Sequence, residues 1–180
     1  MMKDDVAKTL ITKEQIAKRV TELAAEIKKD FHDEDLIMIC ILRGSCYFYA
    51  DLTKALNNLV RLVFLSVSSY GSGTTSSGEV RIIQDVNCRI ENKNVIIVED
   101  IIDTGYTLSY LKRILTERRP KALKICTLLD KPSRREADIE GDYVGFTIPN
   151  EFVVGYGLDY DQKYRNLPEV CVLKKEIYTK

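Results

Sequence analysis

Short apolar runs separated by helix-like segments recur along this chain, and this alternation restricts the fold more than any other feature. The runs lie at residues 36–42, 62–67, 95–98, 123–129 and 152–156. Segments between them have helical spacing, as Leu108, Leu111 and Leu115 show. Strands in alternation with helices are typical of a mainly parallel sheet. The predicted fold class is therefore α/β, with a mainly parallel twisted sheet flanked by helices.

The size and the charge of the chain limit the classes of function. Its 180 residues, 45% of them hydrophobic, are enough for one substantial core and too few for two. We therefore predict a single domain over residues 1–180. The 27 basic and 27 acidic residues cancel, so the overall charge favours neither nucleic acid nor an anionic membrane as a partner. A small ligand is the default partner.

The cysteines and the N-terminal segment predict a cytoplasmic protein. Five cysteines lie far apart, in odd number and without the spacing of metal ligands: Cys40, Cys46, Cys88, Cys126 and Cys171. We predict that they are buried free thiols in a reducing compartment. The charged N-terminus has no apolar signal core, and the longest uncharged apolar run, residues 36–42, is too short to span a bilayer.

The first helix is predicted from its beginning. Thr12 and Gln15 have the spacing of a capping box. Apolar residues then recur at helical spacing: Ile16, Val20, Leu23, Ala24 and Ile27. We expect this helix to serve packing and not chemistry.

Residues 95–107, V-I-I-V-E-D-I-I-D-T-G-Y-T, carry the clearest chemical signal. An apolar strand leads into paired acids, and a Gly/Thr turn then opens a helix. The backbone N–H groups and hydroxyls of residues 103–107 can surround a phosphate at the start of that helix. Glu99 and Asp100 would repel a phosphate, so we expect them to face sugar hydroxyls or a divalent cation. The segment thus predicts a site for a phosphorylated ribose, and the alternative is an ordinary strand-turn-helix with a capping Asp or Thr.

Polar residues follow four of the predicted strands. They are Arg43-Gly44-Ser45, the acidic phosphate loop, Asp130-Lys131 and Gly157-Leu158-Asp159. In an open parallel sheet, ligands bind beyond the carboxyl ends of the strands. The four strand ends are therefore predicted to meet around one crevice, although any one of these residues alone could be a solvated charge.

Four motifs together resemble those of the phosphoribosyltransferases that use phosphoribosyl pyrophosphate. They are L-R-G-S-C-Y-F-Y-A-D-L, V-I-I-V-E-D-I-I-D-T-G-Y-T, L-L-D-K-P-S and F-V-V-G-Y-G-L-D-Y-D-Q-K-Y-R. The resemblance runs from residue 35 to residue 173, and Asp103 narrows it to the 6-oxopurine branch, the hypoxanthine-guanine phosphoribosyltransferases. It implies a type I phosphoribosyltransferase fold with a small hood region and a flexible lid loop, and Mg²⁺ as the cofactor.

The resemblance also implies a role for each motif residue. Binding of the phosphate and ribose falls to Glu99, Asp100, Asp103, Thr104, Gly105, Tyr106 and Thr107. Binding of pyrophosphate falls to Arg43, Gly44, Ser69, Tyr70 and Arg165. Binding of the purine falls to Lys131, Phe152, Val153 and Asp159, and binding of the metal to Glu99, Asp100 and Asp159. Without the resemblance, Phe152 and Val153 would simply be core residues.

The implied reaction is displacement at the anomeric carbon of phosphoribosyl pyrophosphate by N9 of the purine, which gives IMP or GMP and pyrophosphate. Lys131 offers only donors, so it suits a 6-oxo acceptor and not a 6-amino donor. Hypoxanthine or guanine is therefore the expected base. Asp103 is the implied catalytic residue, a general base near N7. Helix capping is an alternative role for Asp103, and the two roles are compatible.

Residues 68–78, S-S-Y-G-S-G-T-T-S-S-G, form a low-complexity segment with ten Gly, Ser or Thr among eleven residues. We predict a mobile loop here. The resemblance implies that it is a catalytic lid, beginning at Ser69 and Tyr70, which excludes water from the reacting ribose. The alternative is a flexible connector with no part in the reaction.

Two residues depart from the pattern of the family. Arg43 stands where many relatives carry Lys, and the resemblance implies that the preceding peptide, Leu42–Arg43, can be cis. The guanidinium of Arg is a planar fork, whereas the ammonium of Lys is a point charge. We therefore assign to Arg43 the family's role in binding pyrophosphate, but not the geometry of the contact. Tyr106 stands where some relatives have Lys or Arg, and its backbone N–H can still serve the phosphate.

Parts of the sequence are also compatible with other functions. A regulator on the same fold, which binds phosphoribosyl pyrophosphate or a nucleotide to control RNA or transcription, is the alternative from another class. It would need a basic face, for which the chain offers Arg118, Arg119, Lys121, Arg134 and Arg135. Among enzymes, an adenine or pyrimidine phosphoribosyltransferase is the nearest alternative, disfavoured by Asp103 and Lys131. The absence of a G-x-x-x-x-G-K-[ST] motif argues against a P-loop kinase or ATPase.

The expected partners are phosphoribosyl pyrophosphate and a 6-oxopurine base, with no nucleic acid and no membrane. The resemblance implies a homodimer or a homotetramer. We predict that the aromatic segment at residues 47–49, with Phe48 at its centre, contributes to a subunit contact.

Overall fold

The structure is a computed structural model, and it describes residues 2–32, 34–69 and 80–179. Two sheets organise these residues. The elements in chain order are β1 (Val6–Ile11), α1 (Lys13–Phe31), β2 (Leu36–Leu42), α2 (Cys46–Leu56), β3 (Val60–Ser69), β4 (Val80–Gln84), β5 (Asn94–Ile102), α3 (Tyr106–Thr116), β6 (Ala122–Asp130), β7 (Tyr143–Thr147), β8 (Val153–Val154), β9 (Val170–Leu173) and α4 (Lys175–Tyr178). Short 3-10 helices occur at Met2–Asp5 and Pro132–Arg134.

The larger sheet has six strands in the order β4-β3-β2-β5-β6-β7. Every neighbouring pair is parallel except β3 and β4, which are antiparallel. This confirms the predicted mainly parallel sheet. The order also places the carboxyl ends of β2, β5 and β6 side by side, which is the edge where ligands bind in sheets of this kind.

Helices cover both faces of this sheet, which explains why its central strands are apolar on both sides. Met38 and Cys40 of β2 pack in the cluster that contains α1 and α2. Ile37 and Ile39 of the same strand pack in the cluster that contains α3. Successive side chains of a strand point to opposite faces, so a strand buried on both faces appears as an uninterrupted apolar run.

The bounds of two predicted strands require correction. Strand β5 continues past residue 98 to Ile102, because Ile101 and Ile102 still pair with Leu129 and Asp130 of β6. The paired acids are therefore part of the strand and do not follow it. Strand β3 likewise continues to Ser69, so the first residues of the predicted mobile loop are strand. Tyr70 and the rest of the predicted lid, residues 70–78, lie outside the described residues.

The predicted strand at residues 152–156 is wrong in length and in partner. Only Val153 and Val154 form a strand, and it belongs to a small sheet of order β1-β9-β8 whose pairs are antiparallel. The chain turns directly afterwards, where the backbone N–H of Leu158 donates to the carbonyl of Gly155 at 3.1 Å. This small sheet and the turn are the hood above the edge of the larger sheet.

The first helix is confirmed, and the structure narrows the expectation about residues 47–49 of its neighbour α2. Thr12 Oγ1 accepts from the N–H of Gln15 at 3.3 Å, and Gln15 Oε1 accepts from the N–H of Thr12 at 2.8 Å, which completes the capping box. In α2, however, Phe48 is fully buried and Tyr49 nearly so. These two residues belong to the core and are not available for a subunit contact, because their side chains face α1 and the sheet. Tyr47 is 44% exposed, so a contact through this residue stays a prediction.

All five cysteines lie in the described residues, and none of them forms a disulfide. Cys40, Cys126 and Cys171 are buried as predicted, whereas Cys46 and Cys88 are only half-buried, because neither lies in a central strand. Within the ranges that the structure describes, no helix combines the length and the apolar character needed to cross a membrane.

Candidate active site

A cavity of about 560 Å³ opens at the carboxyl edge of the larger sheet. Its walls come from the ends of β2, β3 and β5, the beginning of α3 and the hood. The lining includes Arg43, Gly44, Glu99, Asp100, Thr107, Asp159, Gln162 and Arg165. A smaller cavity of about 100 Å³ adjoins it within the loop at residues 101–105. Three of the four predicted strand ends therefore meet here, although Asp159 arrives from the hood and not from the parallel sheet.

The loop after β2 is packed tightly between a strand and the hood. The Leu42–Arg43 peptide is cis. A Cβ atom on Gly44 would lie 1.6 Å from Asp100 Oδ2, and a Cβ atom on Gly157 would lie 1.8 Å from the carbonyl oxygen of Gly44. Both positions thus need a residue without a side chain, and Gly157 also has a φ of +106°. The close approach joins the sheet edge to the hood at the predicted pyrophosphate loop.

Two arginines of the predicted pyrophosphate subsite share one partner, Gln162. Arg43 Nη1 donates to Gln162 Oε1 at 3.0 Å, and Arg165 Nη2 donates to the same oxygen at 3.1 Å. Arg165 also pairs with Asp159 Oδ1 at 2.7 Å, and the N–H of Gln162 donates to Asp159 Oδ2 at 2.8 Å. The sequence reasoning did not include Gln162. Its position between Asp159 and Arg165 in the D-Y-D-Q-K-Y-R motif was the available signal.

Glu99 and Asp100 form a pair of adjacent carboxyl groups at the end of β5. Glu99 is buried, and burial together with the negative charge of Asp100 holds the pKa of Glu99 well above its ordinary value. Burial also raises the pKa of Asp100, and the hydrogen bond from the N–H of Ile101 at 2.7 Å partly offsets this. Such a pair becomes fully ionised more easily when hydroxyl donors or a cation approach it.

The three predicted metal ligands do not form one cluster. In residues 2–32, 34–69 and 80–179, no three side chains of His, Cys, Asp or Glu are grouped so that they could hold a metal ion. Asp159 is instead engaged by Arg165, at 2.7 Å. The three carboxylates are hard oxygen donors of the kind Mg²⁺ prefers, and Mg²⁺ usually takes only one or two carboxylates beside substrate phosphates.

Residues 103–105 lead into α3 as predicted, and residues 106 and 107 already belong to its first turn. Gly105, with a φ of +86°, is the residue before the first turn of the helix, and no side chain caps that turn. Asp103 does not cap the helix, because its Oδ1 accepts from Arg134 Nε at 3.0 Å. The hydroxyl of Tyr106 donates to Glu136 Oε2 at 2.8 Å. The side chains of both loop residues are therefore held by the segment that follows β6, while the backbone N–H groups at the start of α3 have no intrahelical partners.

The predicted purine residues lie where β6 meets the hood. Lys131 is only 6% exposed, and its Nζ donates to the carbonyl oxygen of Glu151 at 3.0 Å. Burial lowers the pKa of Lys131, and the charge of Arg134 adds to this. Phe152 is partly exposed, and the ring of Tyr178 in α4 stacks on it with 4.6 Å between centroids. Val153 is buried. Sequence reasoning did not predict Tyr178, because nothing local connects it with Phe152.

Comparison with known proteins decides the family. Residues 7–161 match the model of the phosphoribosyl transferase domain. The chain belongs to the phosphoribosyltransferase family. It is 51% identical over 178 residues to the hypoxanthine-guanine phosphoribosyltransferase of Bacillus subtilis, with 99% of each sequence covered. It is 49% identical over 180 residues to the enzyme of the same description from Streptococcus thermophilus strain CNRZ 1066, with 100% of each covered.

The fold comparison agrees. A crystal structure of a hypoxanthine phosphoribosyltransferase from Staphylococcus aureus superposes on this phosphoribosyltransferase with a TM-score of 0.96 and 49% sequence identity, covering 99% of this chain and 97% of the other. The central sheet flanked by helices is thus the type I phosphoribosyltransferase fold.

The five basic residues considered for a nucleic-acid face of this phosphoribosyltransferase each have an acidic partner. The pairs are Arg118 with Asp85, Arg119 with Glu91, Lys121 with Glu34, Arg134 with Asp103 and Arg135 with Asp130. A basic face needs uncompensated cations to attract phosphates. No observation in the described part of the chain therefore favours the regulator.

Proposed function

We propose that this phosphoribosyltransferase transfers the 5-phosphoribosyl group from phosphoribosyl pyrophosphate to N9 of hypoxanthine or guanine. The products are IMP or GMP and pyrophosphate, so the enzyme serves purine salvage. The relatives described above are named for this activity. The site contains the three kinds of group that the reaction needs: a phosphate loop, a cationic loop for the leaving group and a donor for the base.

The position of Lys131 is the observation that supports hypoxanthine or guanine as the base. Lys131 is buried beside residues 103–107, which we call the phosphoribosyl loop, since its backbone N–H donates to the carbonyl of Ile102, the residue before that loop, at 3.0 Å. Its ammonium has three donors and no acceptor. It therefore matches O6 of hypoxanthine or guanine and leaves the 6-amino group of adenine without a partner. Phe152 supplies an adjacent aromatic face for stacking.

The chemistry separates into two tasks, charge stabilisation and proton transfer. Arg43 and Arg165 stabilise negative charge on the departing pyrophosphate. The carboxylates of Glu99 and Asp100 accept hydrogen bonds from ribose hydroxyls and stabilise positive charge on the sugar in the transition state. Asp103 accepts a proton at N7 of the base as general base, which raises the nucleophilicity of N9.

We propose Mg²⁺ as the cofactor. Glu99, Asp100 and Asp159 would hold it together with the substrate, and the fact that all three line the main cavity supports this assignment. When bound, Mg²⁺ neutralises phosphate charge and thereby favours departure of pyrophosphate. Ser69 and Tyr70 stay predicted contacts of the lid with pyrophosphate.

Three further expectations accompany this proposal: residues 1–180 act as a single domain, the enzyme works in the cytoplasm, and it forms a homodimer or homotetramer. Five free thiols support a reducing compartment. Exposed apolar side chains on and near β3 and β4 support a subunit contact: Leu59, Leu62, Phe64 and Ile83. Measuring the mass in solution of the protein and of Leu62→Glu tests this contact.

Turnover with one base at a time tests the function. The purified protein is incubated with phosphoribosyl pyrophosphate, Mg²⁺ and hypoxanthine, guanine, xanthine or adenine, and nucleotide products are separated by chromatography. We expect IMP and GMP but no AMP, and we expect Lys131→Met to lower kcat/KM for hypoxanthine. AMP formed at a comparable rate would assign the enzyme to the adenine branch. Tight binding of phosphoribosyl pyrophosphate without any product would favour the regulator.

A further inference from the structure

Arg135 lies between the phosphoribosyl loop and the segment that carries Lys131. Its side chain is only 16% exposed. Nε donates to the carbonyl of Asp103 at 3.1 Å, and Nη2 donates to the carbonyl of Ile102 at 3.3 Å. Nη1 donates to the carbonyl of Ile139, and Nη2 also pairs with the carboxylate of Asp130. One side chain thus contacts the end of β5, the end of β6 and the loop before β7.

The chemistry of this contact suits arginine in particular. A guanidinium has five N–H donors in a rigid plane, and Arg135 uses four of them. The carboxylate of Asp130 compensates its charge, so the guanidinium is stable in a largely buried position. Lysine has three donors and no planar fork, so it cannot satisfy all four acceptors with the same geometry.

Backbone hydrogen bonds join the same two segments beside Arg135. The N–H groups of Glu136 and Ala137 both donate to the carbonyl of Thr104 at 3.0 Å. The N–H of Lys131 donates to the carbonyl of Ile102 at 3.0 Å. The phosphoribosyl loop is therefore bonded through its carbonyl groups to the segment 131–137, and this leaves its N–H groups for a phosphate.

We propose that Arg135 is a positioning residue that fixes the phosphoribosyl loop relative to Lys131, so that one nucleotide fills the phosphate and purine subsites together. This inference rests on the proposed function. Arg135 contacts backbone carbonyls and one carboxylate, so we assign it no direct contact with the substrate or with the reacting atoms. The pyrophosphate side of the site depends on other residues, since Gln162 and Asp159 engage Arg43 and Arg165. Loss of Arg135 should therefore weaken a nucleotide selectively and leave pyrophosphate binding intact.

Binding of GMP and inhibition by pyrophosphate test this selectivity. For Arg135→Met we expect the Kd of GMP, measured by calorimetry, to rise about 10- to 100-fold, which corresponds to the loss of several buried hydrogen bonds. The inhibition constant of pyrophosphate with Mg²⁺, from initial rates, should change by less than about twofold, well under the 1.4 kcal/mol that a tenfold change represents. Arg135→Lys should recover part of the GMP affinity. If Arg135→Met does not fold, the same measurements are made on Arg135→Lys. For this variant we expect a smaller rise in the Kd of GMP than for Arg135→Met.

Arg19 provides a matched control for a purely structural effect. It is also a largely buried arginine, and it donates to the carbonyls of Gly145 and Val144 at 3.0 and 2.8 Å while pairing with Glu22 and Glu26. It lies on α1, away from the site. Arg19→Met should lower the thermal stability as Arg135→Met does, without changing the Kd of GMP.

The outcomes separate the inference from the proposed function. A wild-type enzyme that makes IMP, together with a folded Arg135→Met or Arg135→Lys variant that binds GMP as tightly as the wild type, overturns the inference alone. An equal loss of GMP affinity in Arg19→Met also overturns it, because stability would then explain the effect. A wild type that neither makes nucleotide nor binds GMP overturns both.

Discussion

The phosphoribosyl loop and the pyrophosphate loop lie at the same edge of the sheet, but they are held in different ways. Hydrogen bonds to a neighbouring segment hold the phosphoribosyl loop, through Arg135 and the carbonyl of Thr104. Backbone contact of Gly44 with Asp100 and Gly157 holds the pyrophosphate loop. The side chains of Arg43 in that second loop and of its neutral partner Gln162 are exposed.

This difference corresponds to what each loop does in the proposed reaction. The phosphoribosyl group stays bound while its partner changes from pyrophosphate to purine, so a rigid loop suits it. Pyrophosphate must leave, and Arg43, whose exposed side chain is bonded among the described residues only to the exposed amide of Gln162, can release it. Buried, fully bonded polar groups are rigid, whereas exposed ion pairs contribute little stability and exchange easily. Substitutions on the two sides of the site should therefore differ in kind as well as in size.

The largest effect is expected on the phosphoribosyl side, from Asp103→Asn. Loss of a general base typically lowers kcat by about 10²- to 10⁴-fold. The amide oxygen can still accept from Arg134, so the thermal stability should change little. Steady-state kinetics and a thermal melt measure the two quantities. Glu136→Gln, which changes a neighbouring carboxylate bonded to Tyr106, is the control and should keep kcat near the wild-type value. A normal kcat in Asp103→Asn would show that Asp103 takes no proton.

Gly157→Ala tests the packing on the pyrophosphate side. The new Cβ atom would overlap the carbonyl oxygen of Gly44, and overpacking and a positive φ cost about 1–3 kcal/mol each. We expect a lower free energy of unfolding and a higher KM for phosphoribosyl pyrophosphate, while the Kd of GMP changes less. Denaturant unfolding and kinetics provide the measurements. Gly141→Ala, remote from this loop, controls for the loss of a glycine. An unchanged melt and an unchanged KM would contradict the close approach.

Gln162→Glu is expected to have a smaller effect on the same side. A carboxylate at this position would form ion pairs with Arg43 and Arg165 and would partly neutralise their positive charge. The neutral amide of Gln162 bridges the two guanidinium groups without this loss of charge. Exposed ion pairs contribute about 0.2–1 kcal/mol, so KM for phosphoribosyl pyrophosphate should rise roughly two- to fivefold, and less at high salt. Gln162→Met removes the bridge and keeps both charges, so its KM should rise less. A lower KM for phosphoribosyl pyrophosphate in Gln162→Glu would contradict this account of the bridge.

A modest effect of opposite sign, a gain in stability, is expected from Glu99→Gln. Because burial raises the pKa of Glu99, the folded protein binds this proton more tightly than the unfolded chain does. Stability is therefore lost as the pH rises from the unfolded pKa through the folded pKa. Glutamine does not ionise, so the variant does not lose this stability as the pH rises. Its gain in free energy of unfolding over the wild type should therefore be greatest above the folded pKa and vanish at acidic pH. Thermal melts across pH should show an increase on the order of 1 kcal/mol at neutral pH, or about 2–4 °C. An advantage that does not vary with pH would contradict the assignment.

Several elements follow from local pattern alone. The bounds of β2 agree with the predicted apolar run at residues 36–42, because a strand covered on both faces is apolar throughout. The capping box of α1 is confirmed because Thr12 and Gln15 interact within one helical turn. The turn at residues 103–105 precedes a helix as predicted, since the Gly/Thr turn and the spacing of Leu108, Leu111 and Leu115 are local signals.

Other predictions depend on partners that are distant in sequence. The run at residues 152–156 looks like another parallel strand, but Val153 and Val154 pair antiparallel with β9. The end of β5 lies beyond the predicted one because β6 continues the ladder beside it. Phe48 looks available for a subunit contact, yet it is fully buried. In each case the neighbouring element decides whether a backbone group or side chain is covered.

Residue types and their spacing were thus sufficient for the α/β class and for the turn that leads from β5 into α3, and the resemblance of four motifs was sufficient for the family. They did not reveal that Gln162 joins Arg43 to Arg165, or that Arg135 reaches carbonyls 32 and 33 positions away in the chain. They also could not show that Glu99 is buried beside Asp100. Patterns along the chain report interactions within a few residues, whereas burial, charge pairing and the contacts between strand ends arise only when distant segments are packed together.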